Sequence, residues 1–202
     1  MYIVMLLLLL LPPAPIQRSV RLIVVQPPYE TVDAAAIQTA QQGVRDAATF
    51  WRMRAPFVVD LVLVSTEVIT IEGDVYRDTA WSIGLADPNY VTIVIIDNRK
   101  SGGKLLLGRQ GGWAQPWNAL AVMLLRQSVG QNALPAMIAH ELGHVLFDLP
   151  DLYVIPGACS MPDIMCYQIV AYNTPTIGCV SVARLGYPCK RVYLPVAMGG
   201  GG

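Results

Sequence analysis

The chain has 202 residues, of which 14% are charged, and its 14 basic and 14 acidic side chains cancel to a formal net charge of zero. That length fits one domain able to bury a substantial core. The neutral composition offers no basic footprint for nucleic acid or an acidic membrane surface, which excludes nucleic acid from the expected partners.

In chain order, Met1-Tyr2-Ile3-Val4-Met5 runs into Leu6 to Leu11 and stops at Pro12-Pro13-Ala14-Pro15. The run is well short of the ~20 apolar residues that span a bilayer, so residues 1–17 read as a signal peptide rather than a stable membrane anchor, and the expected location is extracellular or periplasmic. No Lys or Arg precedes the run and Ala14 is flanked by prolines; an uncleaved short anchor and a misplaced start codon are the alternatives. Arg21 to Gln26 reads as a buried strand. Asp33 to Met53 reads as an amphipathic helix, with apolar residues at Ala36, Ile37, Ala40, Val44, Ala47 and Ala48 and Asp33 near its start. Phe57 to Val64, prolonged through Val68 to Ile71, and Tyr90 to Ile96 read as strands. Gly102-Gly103 and Gly111-Gly112 mark loops, and Ser101-Gly102-Gly103-Lys104 lacks the spacing of a phosphate-binding loop. Trp113-Ala114-Gln115 and Ala119 to Leu125 form two short strands around Pro116. A helix follows, with Asn132 as its cap and Pro135 in its first turn. There is no internal repeat, and residues 198–202 read as a flexible glycine tail.

That last helix carries His140-Glu141-Leu142-Gly143-His144, the H-E-x-x-H pattern of zinc hydrolases. On a helix, positions four apart share a face, so both imidazoles reach one ion while Glu141 projects beside it. The chain has only two histidines, and both are here. Leu134 to Leu149 is otherwise nearly all apolar, so the helix is buried, and buried His and Glu are costly unless something satisfies them. A metal ion satisfies all three; the competing reading has the histidines bonded to backbone carbonyls and the glutamate in a private ion pair. Cys159, Cys166, Cys179 and Cys189 all follow this helix in a Pro- and Gly-rich stretch. An even number in an exported chain implies two disulfides, with three possible connectivities, and the lack of any C-x-x-C pair counts against a cysteine zinc site.

The order strand, helix, strands, H-E-x-x-H helix and then Asp163-Ile164-Met165-Cys166-Tyr167 resembles the metzincin zinc peptidases, in which a methionine turn lies beneath the metal. The run His140 to Tyr153, with Asp148-Leu149-Pro150-Asp151 inside it, is especially similar to snapalysin-like and immune-inhibitor-A-like secreted bacterial peptidases. The resemblance implies an α+β fold with an α/β-like upper lobe: a twisted, mostly parallel sheet with two long helices, the active-site helix, and an irregular, disulfide-stapled lower lobe holding the methionine turn, all in one catalytic domain over 18–197. It implies Asp151 as third metal ligand after His140 and His144, Met165 as the turn methionine, and Tyr167 as the tyrosine near the metal. Two features depart from the pattern. Phe147 stands where the family has a glycine, and Asp151 comes one position late. A one-residue insertion explains both if Asp148 takes the left-handed conformation that the glycine normally adopts. Asp148 itself is the alternative ligand.

The chemistry expected of such a site is peptide hydrolysis by a zinc-activated water, with Glu141 as general base and zinc and Tyr167 stabilising the oxyanion. An extended peptide or unfolded protein would pair with Gly112, Trp113 and Ala114 as an edge strand. The other readings are an inactive peptidase-like binding module, a zinc amidase acting on a non-protein amide, and a purely structural zinc site, which would normally need four protein ligands. Asp74, Asp78, Asp87 and Asp97 offer oxygen ligands for calcium, but without EF-hand spacing. A monomer is expected.

Overall fold

The computed structural model describes residues 15–26, 31–71, 84–97, 112–125, 133–152, 163–166 and 176–187. Strand β1, Ile16–Gln26, has Val20 and Leu22 to Val25 fully buried. A strand with consecutive buried residues is covered on both faces, and β1 accordingly sits inside the sheet, between β2 (Val59–Thr70) and β3 (Val91–Asp97), parallel to both. Beyond β3 lie β5 (Leu120–Leu125), parallel to it, and β4 (Gly112–Gln115), antiparallel at the edge, giving the order β2-β1-β3-β5-β4. The link between β4 and β5 is a single 3-10 turn, Pro116–Asn118, closed by Ala119 in the left-handed region at φ 48°.

Helix α1, Ala34–Arg54, starts where the side chain of Asp33 accepts a hydrogen bond from the Ala36 amide, relieving one of the unpaired amides of the first turn. Its buried stripe, Ala36, Ala40, Gly43, Val44, Ala47 and Trp51, follows helical spacing and packs over β1 and β2 and against helix α2, Ala133–Phe147. Helix α2 in turn lies against β4 and β5. Helix α3, Cys179–Arg184, is one short piece near the chain's end. One face of the sheet joins α1, α2 and residues Leu149, Leu152, Ile164, Met165 and Cys166 in a single core, while Ile23, Val25, Val94, Ile96, Leu120 and Val122 form a second core on the other face.

The expected mostly parallel sheet is present, and the strand pair around Pro116 lies where the sequence suggests. Two features differ from the expectation. Strand β1 begins at Ile16 rather than Arg21, because backbone pairing with β2 carries through the polar residues Gln17, Arg18 and Ser19, where no hydrophobic period announces a strand. Ile16 and Gln17, inside the stretch read as a leader, thus pair with Val59 and Asp60. Among the described residues α1 is one long helix beside the histidine-bearing helix α2, not two; the remaining helix, α3, stops after six residues at Leu185 and Gly186. Neither Cys166 nor Cys179 is a free thiol; Cys159 and Cys189 lie outside the described residues, and with them the pairing of the four. No helix among the described residues is long and apolar enough to cross a membrane.

Replacing Asp33 by Ala removes the cap of α1 and should lower the stability of the chain by about 1 kcal/mol. Urea denaturation reads this as a shifted midpoint with an unchanged slope.

Candidate metal centre

Helix α2 carries His140 and His144 one turn apart, and its C-terminal end decides what faces them. The helix stops at Phe147 because Asp148 turns into the left-handed region at φ 50°. The Asp148 amide donates to the His144 carbonyl at 3.0 Å and the Leu149 amide to Gly143 at 3.3 Å, so the chain folds back over its own last turn in the manner of a left-handed helix cap. Asp148 is exposed. Its role is to reverse the chain, and Pro150 then prevents the helix from resuming.

The reversal delivers two groups. The Leu149 carbonyl accepts a hydrogen bond from His144 Nδ1, and the Asp151 carboxylate comes to lie between the two imidazoles. His140 Nδ1 donates to the Ile164 carbonyl at 2.8 Å. A carbonyl oxygen only accepts, so both Nδ1 atoms carry the hydrogen and both Nε2 atoms of the neutral rings present lone pairs. Those two Nε2 atoms are 3.3 Å apart, and Asp151 Oδ1 is 3.1 Å from that of His140 and 3.4 Å from that of His144. Asp151 Oδ1 is buried and receives no hydrogen bond. Three acceptors therefore converge with no donor among them. A tetrahedral zinc ion with bonds of ~2.0–2.1 Å has ligand edges of roughly 3.3 Å, and the three separations fit that spacing.

The ionisation behaviour of the bare chain follows the same geometry. Burial works to lower the basicity of His140, but the hydrogen bond that a protonated ring would make to Asp151, the charge of Glu141 and the Ile164 carbonyl outweigh it and the net shift is upward. Burial works to raise Asp151, and the two imidazoles reverse that, holding it well below the usual carboxylate range. Both shifts favour placing a positive charge in the gap between these groups. Glu141 is 7% exposed; burial, assisted by the charge of Asp151 and opposed by the two imidazoles, pushes its carboxyl up to about 7. The candidate ligand atoms of His140, Glu141 and His144 lie within 4.8 Å of one another, which keeps Glu141 beside the converging triangle.

Beneath the helix, Asp163 to Cys166 form a tight turn in which the Cys166 amide donates to the Asp163 carbonyl at 3.0 Å and the Met165 amide to Asp163 Oδ1 at 2.9 Å. Met165 is fully buried. Its sulfur is so close to Gly143, the glycine of the histidine motif, that a Cβ built there would meet Sδ at 2.5 Å and Trp51 Cζ2 at 3.2 Å. The turn methionine and Trp51 thus form the floor on which the motif rests. Trp51 also donates from Nε1 to the Ala139 carbonyl at 2.9 Å, and its ring lies against Phe147. The Leu152 amide donates to the Met165 carbonyl at 2.9 Å, which ties the segment bearing Asp151 to the turn.

The sequence matches no protein-family model and no curated protein. Among solved structures it is similar to the crystal structure of archaemetzincin from Archaeoglobus fulgidus complexed with malonate, at 15% identity and a TM-score of 0.41, over 82% of this chain and 99% of that one. At that distance the functional reading rests on the side chains themselves.

Of the residues singled out from the sequence, His140, Glu141, His144, Asp151 and Met165 come together here, whereas Asp148 is exposed at the helix end. Tyr167 lies outside the described residues, as does Asn132. Gly112, Trp113 and Ala114 form β4 at the sheet edge beside α2, with one side unpaired among the described strands. For calcium, Asp87 instead receives the backbone and side-chain N–H of Asn89 at 2.9 and 3.0 Å, Asp97 is buried at the end of β3, and Asp74 and Asp78 lie outside the described residues. Sequence reasoning missed Trp51 and Asp163. An Asp two residues before Met165 is a recognisable turn signal; the Trp51 bond, 88 residues away in sequence from its acceptor, leaves no local trace.

Two substitutions test this geometry. Gly143→Ala forces a methyl group into Met165 and should cost about 1–3 kcal/mol. Asp148→Val should cost about 1–2 kcal/mol for a branched residue in the left-handed region, while Asp148→Gly should equal or exceed the parent. Thermal melts of the three variants check the order.

Proposed function

We propose that the chain is a secreted zinc-dependent endopeptidase, with His140, His144 and Asp151 as metal ligands and Glu141 as general base. The observation carrying this reading is the triangle of His140 Nε2, His144 Nε2 and Asp151 Oδ1, which contains no donor hydrogen and leaves a buried carboxylate oxygen without a partner. Two imidazoles and a carboxylate suit zinc, and three protein ligands rather than four suit a catalytic rather than a structural ion. When bound, zinc would supply Lewis acidity towards the scissile carbonyl and lower the pKa of water.

The rest is the work of side chains and backbone. Glu141, at the helix position after the first ligand, takes a proton from the attacking water onto a carboxylate oxygen and passes it to the nitrogen of the departing amine. Strand β4 lends its unpaired edge at Gly112, Trp113 and Ala114 to an extended peptide, and Tyr167 donates a hydrogen bond to the developing oxyanion. Export by the apolar leader fits pairing of Cys159, Cys166, Cys179 and Cys189 as two disulfides in the lower lobe. The finer likeness to snapalysin-like and immune-inhibitor-A-like peptidases belongs to this proposal, as does the monomeric state.

Purified protein is expected to contain one zinc per chain and to cleave unfolded casein in a chelator-sensitive manner. Glu141→Gln should keep the zinc and lose roughly 10²- to 10⁴-fold in kcat. Asp151→Ala should lose zinc affinity, whereas Asp148→Ala should retain it. Absence of zinc after purification without chelators, or full activity in Glu141→Gln, would overturn the reading. Zinc binding with hydrolysis of a non-peptide amide in place of casein would replace the peptidase by an amidase.

A further inference from the structure

The two histidines are held by carbonyl groups of different character. Leu149 C=O, which receives His144, belongs to the peptide joining Leu149 to Pro150, and that peptide has no N–H. Ile164 C=O, which receives His140 at 2.8 Å, belongs to the peptide joining Ile164 to Met165, and the N–H of the same peptide donates to Asp163 Oδ1 at 2.9 Å. One planar amide therefore stands between the Asp163 carboxylate and the His140 ring. Because the amide is rigid, an acceptor that fixes its N–H also fixes the direction of its C=O. A charged acceptor at the N–H end polarises the amide, making its oxygen a stronger acceptor for Nδ1–H.

We propose that Asp163 is a positioning residue for the metal centre, acting on His140 through the Ile164–Met165 peptide. The arrangement is a carboxylate–histidine pair with an amide inserted between its members, and in such pairs the outer carboxylate orients the ring and raises its basicity as a ligand. Asp163 is equipped for this role. It is 4% exposed, and its Oδ1 also receives the Ser181 hydroxyl of α3 at 3.0 Å. The Ile164 amide is tied to the Thr176 carbonyl at 2.7 Å. Gly178, the residue preceding α3, has an ordinary φ of −76°, yet a Cβ built on it would meet Asp163 Oδ2 at 2.3 Å. An alanine there presses on the carboxylate without straining its own backbone.

The inference rests on His140 being a zinc ligand, and the test separates the two. Zinc affinity is measured by chelator competition, and the His140 and His144 Nδ1–H resonances are followed by NMR in the metal-free protein. Asp163→Asn, which keeps the shape and removes the charge, should weaken zinc binding roughly 10- to 100-fold and move the His140 Nδ1–H resonance upfield while leaving that of His144 in place. Gly178→Ala should act in the same direction, and it stands as the test if Asp163→Asn does not fold. A purely structural role would lower the melting temperature and leave both the affinity and the His140 resonance unchanged, which would overturn the proposal. A parent protein that binds no zinc would refute the metal reading, and the relay between Asp163 and His140 would then stand or fall on the resonance alone.

Discussion

Three lone-pair-bearing atoms facing one another without a hydrogen between them make up the constraint on which the rest of this structure depends. His140 Nε2, His144 Nε2 and Asp151 Oδ1 lie 3.1 to 3.4 Å apart, and the hydrogens that could have separated them are committed elsewhere, on Nδ1 atoms bonded to Ile164 and Leu149. Such an arrangement is repulsive in a low-dielectric surrounding unless a cation joins it. Folding holds it in place by fixing each of the three groups from behind.

That support comes from chain segments far apart in sequence. Trp51, from the helix after β1, fixes the backbone at Ala139 and the floor below Gly143. The left-handed residue Asp148 brings Leu149 and Asp151 back over the helix end. The turn at Met165 fills the space beneath the motif and accepts from Leu152, so that the two segments presenting partners to the histidines are bonded to each other. The mostly parallel sheet supplies the rigid surface against which α1 and α2 are pressed, and its antiparallel edge strand β4 lies beside the helix that bears the site.

Much of this was legible in the sequence, for reasons particular to certain residues. The only two histidines of the chain fall four apart in an apolar run, so the helix and the shared face follow directly. Asp148 reads as a helix terminator because a bulky Phe147 occupies the preceding position and Asp tolerates positive φ better than most. Val91 to Ile96 is buried on both faces and reads as a strand without ambiguity. The start of β1 did not show, because Gln17 and Arg18 are exposed and held only by backbone pairing with β2. Contacts between Trp51 and Ala139, or between Asp163 and Ser181, depend on how distant segments dock, and no local period encodes them. The bland expectation for the histidines, that backbone carbonyls satisfy them, is correct for one nitrogen of each ring; the other nitrogen of each is what the metal reading needs.

X-ray absorption at the zinc edge on the zinc-loaded protein tests the central claim most directly. The account predicts two imidazole nitrogens and one carboxylate oxygen at ~2.0–2.2 Å, a further light-atom ligand, and no sulfur. Sulfur scattering near ~2.3 Å, or a single imidazole, would contradict it.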